Sequence, residues 1–153
     1  MRAMAEILQR RLLETIREDL GGTYGINASA GYERVPNQTY SITIQFGSDP
    51  TRTDELIKRV FQEIEALKAN GPTDQQVADE KETLLREFES NSKLNNYLMN
   101  QISLRYEQGE DPAVLWLIPD YYKKIDKAMI QAAAKAYLNT NRYVEVMLFP
   151  EKK

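Results

Sequence analysis

An arginine and a tyrosine, seven positions apart, are the residues of this sequence best suited to chemistry. In the stretch Ile16-Arg17-Glu18-Asp19-Leu20-Gly21-Gly22-Thr23-Tyr24-Gly25, Arg17 falls in the last turn of an apolar-striped helix and Tyr24 opens a strand. Gly21 and Gly22 mark the exit, since a glycine just past a helix takes the left-handed conformation without a Cβ penalty. A chain reversal there brings a guanidinium and a phenol to the same rim of the domain. Both are hydrogen-bond donors that stay protonated at neutral pH. The residues alone leave a plainer account open. A cation suits a helix C-terminus by about 0.3–1 kcal/mol, and aromatic residues are common in strands.

The rest of the composition narrows what such a pair can serve. The chain has 153 residues, enough for one domain with a real core, and it is 42% hydrophobic and 28% charged. Its net charge of -3 gives no nucleic-acid footprint. The longest apolar run, Ala113 to Ile118, is too short to span a bilayer. There is no cysteine, hence no disulfide, thiolate metal site or Cys nucleophile. There is also no histidine. Zinc enzymes commonly use His ligands, and most Ser and Cys nucleophiles use a His base. A complete hydrolytic site within this chain is therefore not expected, and neither is a metal or cofactor.

Several elements must hold the pair in place. Met4, Ile7, Leu8, Leu12, Leu13, Ile16 and Leu20 recur at three- and four-residue steps, predicting a helix over Ala3 to Leu20 with Arg10, Arg11, Glu14 and Glu18 on its opposite face. Residues 24–33 and 40–47 alternate apolar and polar around Pro36-Asn37-Gln38, predicting an antiparallel hairpin over 24–47 with one buried face. Ala28, Ser29 and Ala30 are small enough to let a helix or a bound peptide come close. A second helix follows Ser48-Asp49-Pro50-Thr51 and ends at Asn70-Gly71-Pro72. Thr73 through Gln76 matches a capping box and starts a third. Ser90-Asn91-Ser92 separates it from a fourth with Leu94, Tyr97, Leu98, Ile102 and Tyr106. Asp111-Pro112 opens a short apolar helix containing Leu115 and Trp116, and Asp126 caps a last helix that ends before Asn139-Thr140-Asn141. Residues 142–149 then predict a final strand, closed by Pro150 and apolar on both faces, hence central and covered on both sides. The class is α+β: an antiparallel sheet, made of the hairpin and the C-terminal strand, packed against several helices in a single domain over 1–153. Three strands are fewer than the usual four to six, so the sheet is expected to be completed elsewhere.

Other constellations have bland readings. Glu14, Glu18 and Asp19 fit a solvated helix face, and Ser92-Lys93 sits at a break where adjacent residues rarely orient as a nucleophile and base. Trp116, Tyr121 and Tyr122 form either a peptide-binding patch or a small satellite core. The hairpin's outer strand offers an edge for strand addition.

The string Ile7-Leu8-Gln9-Arg10-Arg11-Leu12-Leu13-Glu14-Thr15-Ile16-Arg17-Glu18-Asp19-Leu20-Gly21-Gly22-Thr23-Tyr24 resembles the C-terminal domain of the pitrilysin/insulinase family of zinc metallopeptidases, the inverzincins. Gly71-Pro72-Thr73-Asp74, Asp126-Lys127-Ala128-Met129 and Tyr143-Val144-Glu145-Val146-Met147-Leu148-Phe149-Pro150 agree with it in order. The resemblance implies a non-zinc-binding domain, or its distal part, within a longer zinc endopeptidase of the bacterial large single-chain kind. Zinc would lie in the parent enzyme's N-terminal domain, on an H-x-x-E-H helix that this chain lacks. The implied partners are the remaining domains of the parent and a peptide or protein substrate, with no membrane span and a periplasmic setting if that branch is right. Carried over, Tyr24 donates a hydrogen bond to the scissile carbonyl as it becomes an oxyanion. Arg17 holds the adjacent substrate carbonyl and supports Tyr24. Donors aimed at developing charge contribute about 3–4 kcal/mol each to lowering a barrier. This chain alone is not expected to be active. The alternative is a catalytically inactive relative that serves assembly or peptide binding.

Overall fold

The most buried element is the first helix, and the other elements are packed around it. In the computed structural model, which describes residues 1–19 and 25–149 apart from the side chains of 17 to 19, α1 spans Arg2–Leu12. Its apolar stripe is realised: Met4, Ile7, Leu8 and Leu12 are sealed from solvent, and Ala3 and Ala5 are buried beside them. The helix then widens without interruption into a π-helical segment, Leu13–Asp19, where both Thr15 and Ile16 are buried. Regular α geometry was expected as far as Leu20. Residues 20 to 24, including the expected Gly21-Gly22 exit and Tyr24, lie outside the described residues, as does Pro150.

The hairpin forms as one antiparallel pair. Strand β1, Ile26–Glu33, runs against β2, Thr39–Phe46, in a register that sets Ile26 opposite Phe46 and Ala28 opposite Ile44. The Val35–Pro36 peptide in the connection is cis. Ile26 and Ala28 are buried, while Ala30, Ile42, Ile44 and Phe46 pack on the same core from its edge. A two-stranded hairpin is marginal by itself in water. Here α1 covers the inner face, and the small side chain of Ala28 lets it come close.

Three longer helices and three shorter segments complete the layer. Helix α2 covers Thr53–Asn70 and α3 covers Asp74–Asn91. The turn between them uses Gly71 at φ 69°, a left-handed value that glycine reaches without strain, followed by Pro72. The capping box at the start of α3 is complete: Thr73 Oγ1 accepts from the Gln76 N–H at 3.1 Å and Gln76 Oε1 accepts from the Thr73 N–H at 3.0 Å. Helix α4, Asn95–Glu107, has no fully buried residue. A 3-10 turn over Pro112–Leu117, capped by Asp111, leads into α5, Ile118–Lys124. Asp126 caps α6, Lys127–Tyr137, by accepting from the Met129 N–H at 2.7 Å. Leu56, Val60, Ile64 and Leu67 of α2, Leu84 of α3, and Ile130 and Ala134 of α6 join the α1 stripe in one core. No helix among the described residues is long and apolar enough to cross a membrane.

The expected C-terminal strand is corrected by the structure. Residues 142–149 carry no regular secondary structure, and the sheet has two strands among the described residues. Far from being covered on both faces, Val144 is 89% exposed and Leu148 95%. Its apolar side chains read as burial, but a strand is held by a neighbour's N–H and C=O groups, and among the described residues β1 and β2 pair only with each other. The segment is tied down at its start. Thr140 Oγ1 donates to Glu65 Oε1 at 2.9 Å, and the Tyr143 ring lies against Phe61 with centroids 5.0 Å apart.

Candidate functional site

Arg17 lies on the π-helical turn that extends α1, its backbone described and its side chain outside the described residues. Tyr24 lies outside them as well. Seven residues of π-helix are unusual, because π geometry occurs mostly as single-turn bulges and often at functional positions. The structure therefore defines this site by its two flanks, α1 before it and β1 after it.

Those flanks are joined and braced by three consecutive residues of α1. Gln9 Oε1 accepts a hydrogen bond from the Ala28 N–H at 3.0 Å, linking α1 to β1. Arg10 donates from Nη2 to Glu80 Oε2 on α3. Arg11 Nη2 donates to Glu63 Oε2 on α2 at 3.0 Å, and Arg59 Nη2 lies 3.5 Å from the other oxygen of Glu63. Glu80 is fully buried and Glu63 nearly so. Burial pushes the Glu80 carboxyl up to about 7, with the nearby Glu6 and Glu87 adding to the shift while Arg10 and Arg2 oppose it. Its Oε1 has no hydrogen-bond partner. The polar face of α1 expected from the sequence is thus turned inward at Arg10 and Arg11. Sequence reasoning passed over Gln9, Glu63 and Glu80, because a glutamine or glutamate in a helix ordinarily faces water.

The lesser candidates separate. Glu14 is exposed, and the side chains of Glu18 and Asp19 lie outside the described residues. Ser92 Oγ donates to the Glu89 carbonyl at 3.2 Å and Lys93 Nζ to the Glu89 carboxylate at 3.0 Å, so each binds Glu89 and they form no pair. Trp116 stacks edge-on against Phe88, itself against Tyr97, yet remains 58% exposed. Among the described residues no three His, Cys, Asp or Glu side chains converge as a metal ion requires. With no His or Cys in the sequence, this chain's residues do not fit a zinc ion.

Comparison with known proteins resolves what the flanks belong to. The family described as "Peptidase M16 inactive domain" matches residues 1–84, which include α1, the Arg17–Tyr24 stretch and the hairpin. The chain belongs to this family. It is 25% identical over 138 residues to the chloroplastic stromal processing peptidase of Pisum sativum, a match that spans 90% of this chain and 11% of the relative. It is 25% identical over 149 residues to the probable zinc protease PqqL of Haemophilus influenzae, across 94% of this chain and 16% of that protein. The chain thus spans about a tenth to a sixth of the length of these two relatives. Among solved structures, the periplasmic protease PqqL of Escherichia coli superposes with a TM-score of 0.76 at 23% identity, covering 89% of this chain and 15% of that one. The M16 inactive domain from Pseudomonas fluorescens superposes with a TM-score of 0.72 at 20% identity, over 90% of this chain and 34% of the other. These likenesses establish the α+β fold of M16 inactive domains.

Proposed function

We propose that this chain is the non-zinc-binding domain of an M16-type zinc metalloendopeptidase. In that role it closes the proteolytic chamber and presents Arg17 and Tyr24 to the substrate. The observation that carries the reading is the family match over residues 1–84, since it covers the stretch in which both residues lie. The zinc that activates water for peptide hydrolysis belongs to another segment of the parent, because this chain's own residues do not fit it. What this chain supplies is orientation and hydrogen bonding. Tyr24 donates to the scissile carbonyl as negative charge builds on its oxygen. Arg17, with a planar fork of donors, holds the neighbouring backbone carbonyl so that the reacting bond stays in place. The periplasmic setting of the Escherichia coli relative supports the same location for the parent of this chain.

The test is kinetic and uses the whole peptidase. Tyr24→Phe removes one hydroxyl and keeps the ring. We expect kcat to fall by about 10²- to 10³-fold, the usual effect of losing a donor aimed at an oxyanion, with KM changed far less. An unchanged kcat refutes the role. Chain 1–153 by itself is expected neither to cleave peptides nor to bind zinc; chelator-sensitive cleavage by the isolated chain would contradict the division of labour.

A further inference from the structure

Gln9, Arg10 and Arg11 are adjacent in sequence, and each reaches a different element. Successive residues on an α-helix project about 100° apart, so these three side chains sweep more than half of the circumference of α1. Gln9 reaches β1, Arg10 reaches Glu80 on α3, and Arg11 reaches Glu63 on α2. Three ties in three directions fix both the rotation of a helix and its position along its axis. Any slip of α1 would break at least one tie; losing the Arg10 tie would strip the buried Glu80 carboxyl of that cation, whereas Glu63 would keep Arg59.

The Gln9 tie has a particular geometry. Ala28 sits opposite Ile44 in the hairpin, yet its N–H is bonded to the Gln9 side chain. Ala28 is 2% exposed, so water cannot readily replace Gln9 as its acceptor. Gln9 lies eight positions before Arg17 and Ala28 four positions after Tyr24. This one hydrogen bond therefore joins the two flanks of the stretch that carries both site residues.

We propose that Gln9 is a positioning residue, which pins the two flanks of the Arg17–Tyr24 stretch together while Arg10 and Arg11 hold α1 in register. The inference rests on the reading of Arg17 and Tyr24 given above. Gln9 touches no substrate. It acts by setting where the chain leaves the helix and where it enters the strand. Misplacing a catalytic donor by about 1 Å costs as much as 10²-fold in rate.

The experiment compares Gln9→Met with Gln9→Glu in the whole peptidase. Methionine has similar length and no oxygen acceptor; glutamate keeps one. Gln9→Met is expected to speed hydrogen exchange at the Ala28 amide by about tenfold or more, because the donor loses its partner. It should also lower kcat about tenfold while KM stays within about twofold. Gln9→Glu should restore both measurements to within about threefold of the parent. A role in packing alone predicts the opposite: both variants would shift together, or neither would change exchange at Ala28. Either result overturns the proposal, as does faster exchange without any loss in kcat where Tyr24→Phe does lower kcat. Tyr24→Phe, measured alongside, separates the two ideas. If it leaves kcat intact, the functional reading of the site fails, and exchange at Ala28 together with its rescue by Gln9→Glu still decides whether Gln9 is the pin.

Discussion

The Glu80 carboxyl, sealed between α3 and α1, makes the stability of this fold depend on pH near neutrality. Its pKa is raised to about 7 from an ordinary 4.5, so the native state holds a proton that the unfolded chain has already released. Between these values folding takes up a proton, and stability falls as pH rises; below about 4.5 the effect is fully favourable, and above about 7 it is lost. Arg10 offsets part of the cost, but the unpartnered Oε1 leaves the ionised form under-solvated. Glu80→Gln removes the ionisation and keeps the shape. On going from pH 5.5 to pH 8 the parent is expected to lose about 2 kcal/mol more stability than the variant. Denaturant titrations at the two pH values measure that difference, and parallel pH profiles would show that Glu80 does not titrate there. Arg17→Lys belongs to the same scale. Lysine keeps the charge but replaces a planar fork with a point charge, so loss of substrate positioning should appear in kcat/KM as a fall of about tenfold or more. A kinetic profile equal to that of the parent would leave Arg17 with no role beyond the helix dipole.

Among the elements, the junction of α2, α3 and α6 shows how local signals and distant contacts combine. Asn70-Gly71-Pro72-Thr73 declares its turn in the sequence, because the backbone chemistry of glycine, proline and a capping threonine acts within a few residues. The sequence does not declare that Gln131 on α6 reaches across to donate to the Lys68 and Ala69 carbonyls at 3.1 and 2.8 Å. Those carbonyls belong to the last turn of α2, which has no intrahelical donors of its own. A Cβ at Gly71 would also approach Gln131 Cβ to 3.3 Å, at a φ of +69°. Gly71→Ala is therefore expected to destabilise the fold by about 1–2 kcal/mol, from the left-handed backbone and the crowded Gln131 together. That shifts Tm down by roughly 3–6 °C for a chain of this size; no shift in calorimetry would mean that the turn relaxes freely. The same division explains the rest of the sequence reading. The caps at Thr73, Asp111 and Asp126 and the apolar stripe of α1 were legible because each is a local pattern. The π-helical widening after Leu12, the inward-turned Arg10 and Arg11, and the Gln9 link to Ala28 were not, because each depends on what arrives from elsewhere in the chain. Arg17 and Tyr24 are singled out by the family motif rather than by their spacing, and neither side chain lies among the described residues.

For the whole molecule, the unpaired segment 142–149 carries the sharpest consequence. The sequence suggests a central strand, and the sheet has only β1 and β2 among the described residues. Leu148 is 95% exposed and makes no part of the core, whereas Leu8 is fully buried at its centre. In chain 1–153, Leu8→Ala should cost about 2–5 kcal/mol through lost burial and a residual cavity. Leu148→Ser should stay within about 0.5 kcal/mol, as surface changes do. Within a longer parent the outcome is expected to differ, since both relatives are far longer than this chain and an apolar segment needs a covering layer. If another part of the parent supplies a neighbouring strand, Leu148→Ser becomes a buried polar substitution there and should cost about 1–3 kcal/mol. Thermal melts of the same substitution in both proteins make the comparison. Equal, near-zero shifts would mean that 142–149 stays at the surface of the parent; a large shift in the isolated chain would contradict the arrangement described here. Only the predicted pattern, neutral in the chain and costly in the parent, makes 142–149 the edge along which this domain joins the rest of its sheet.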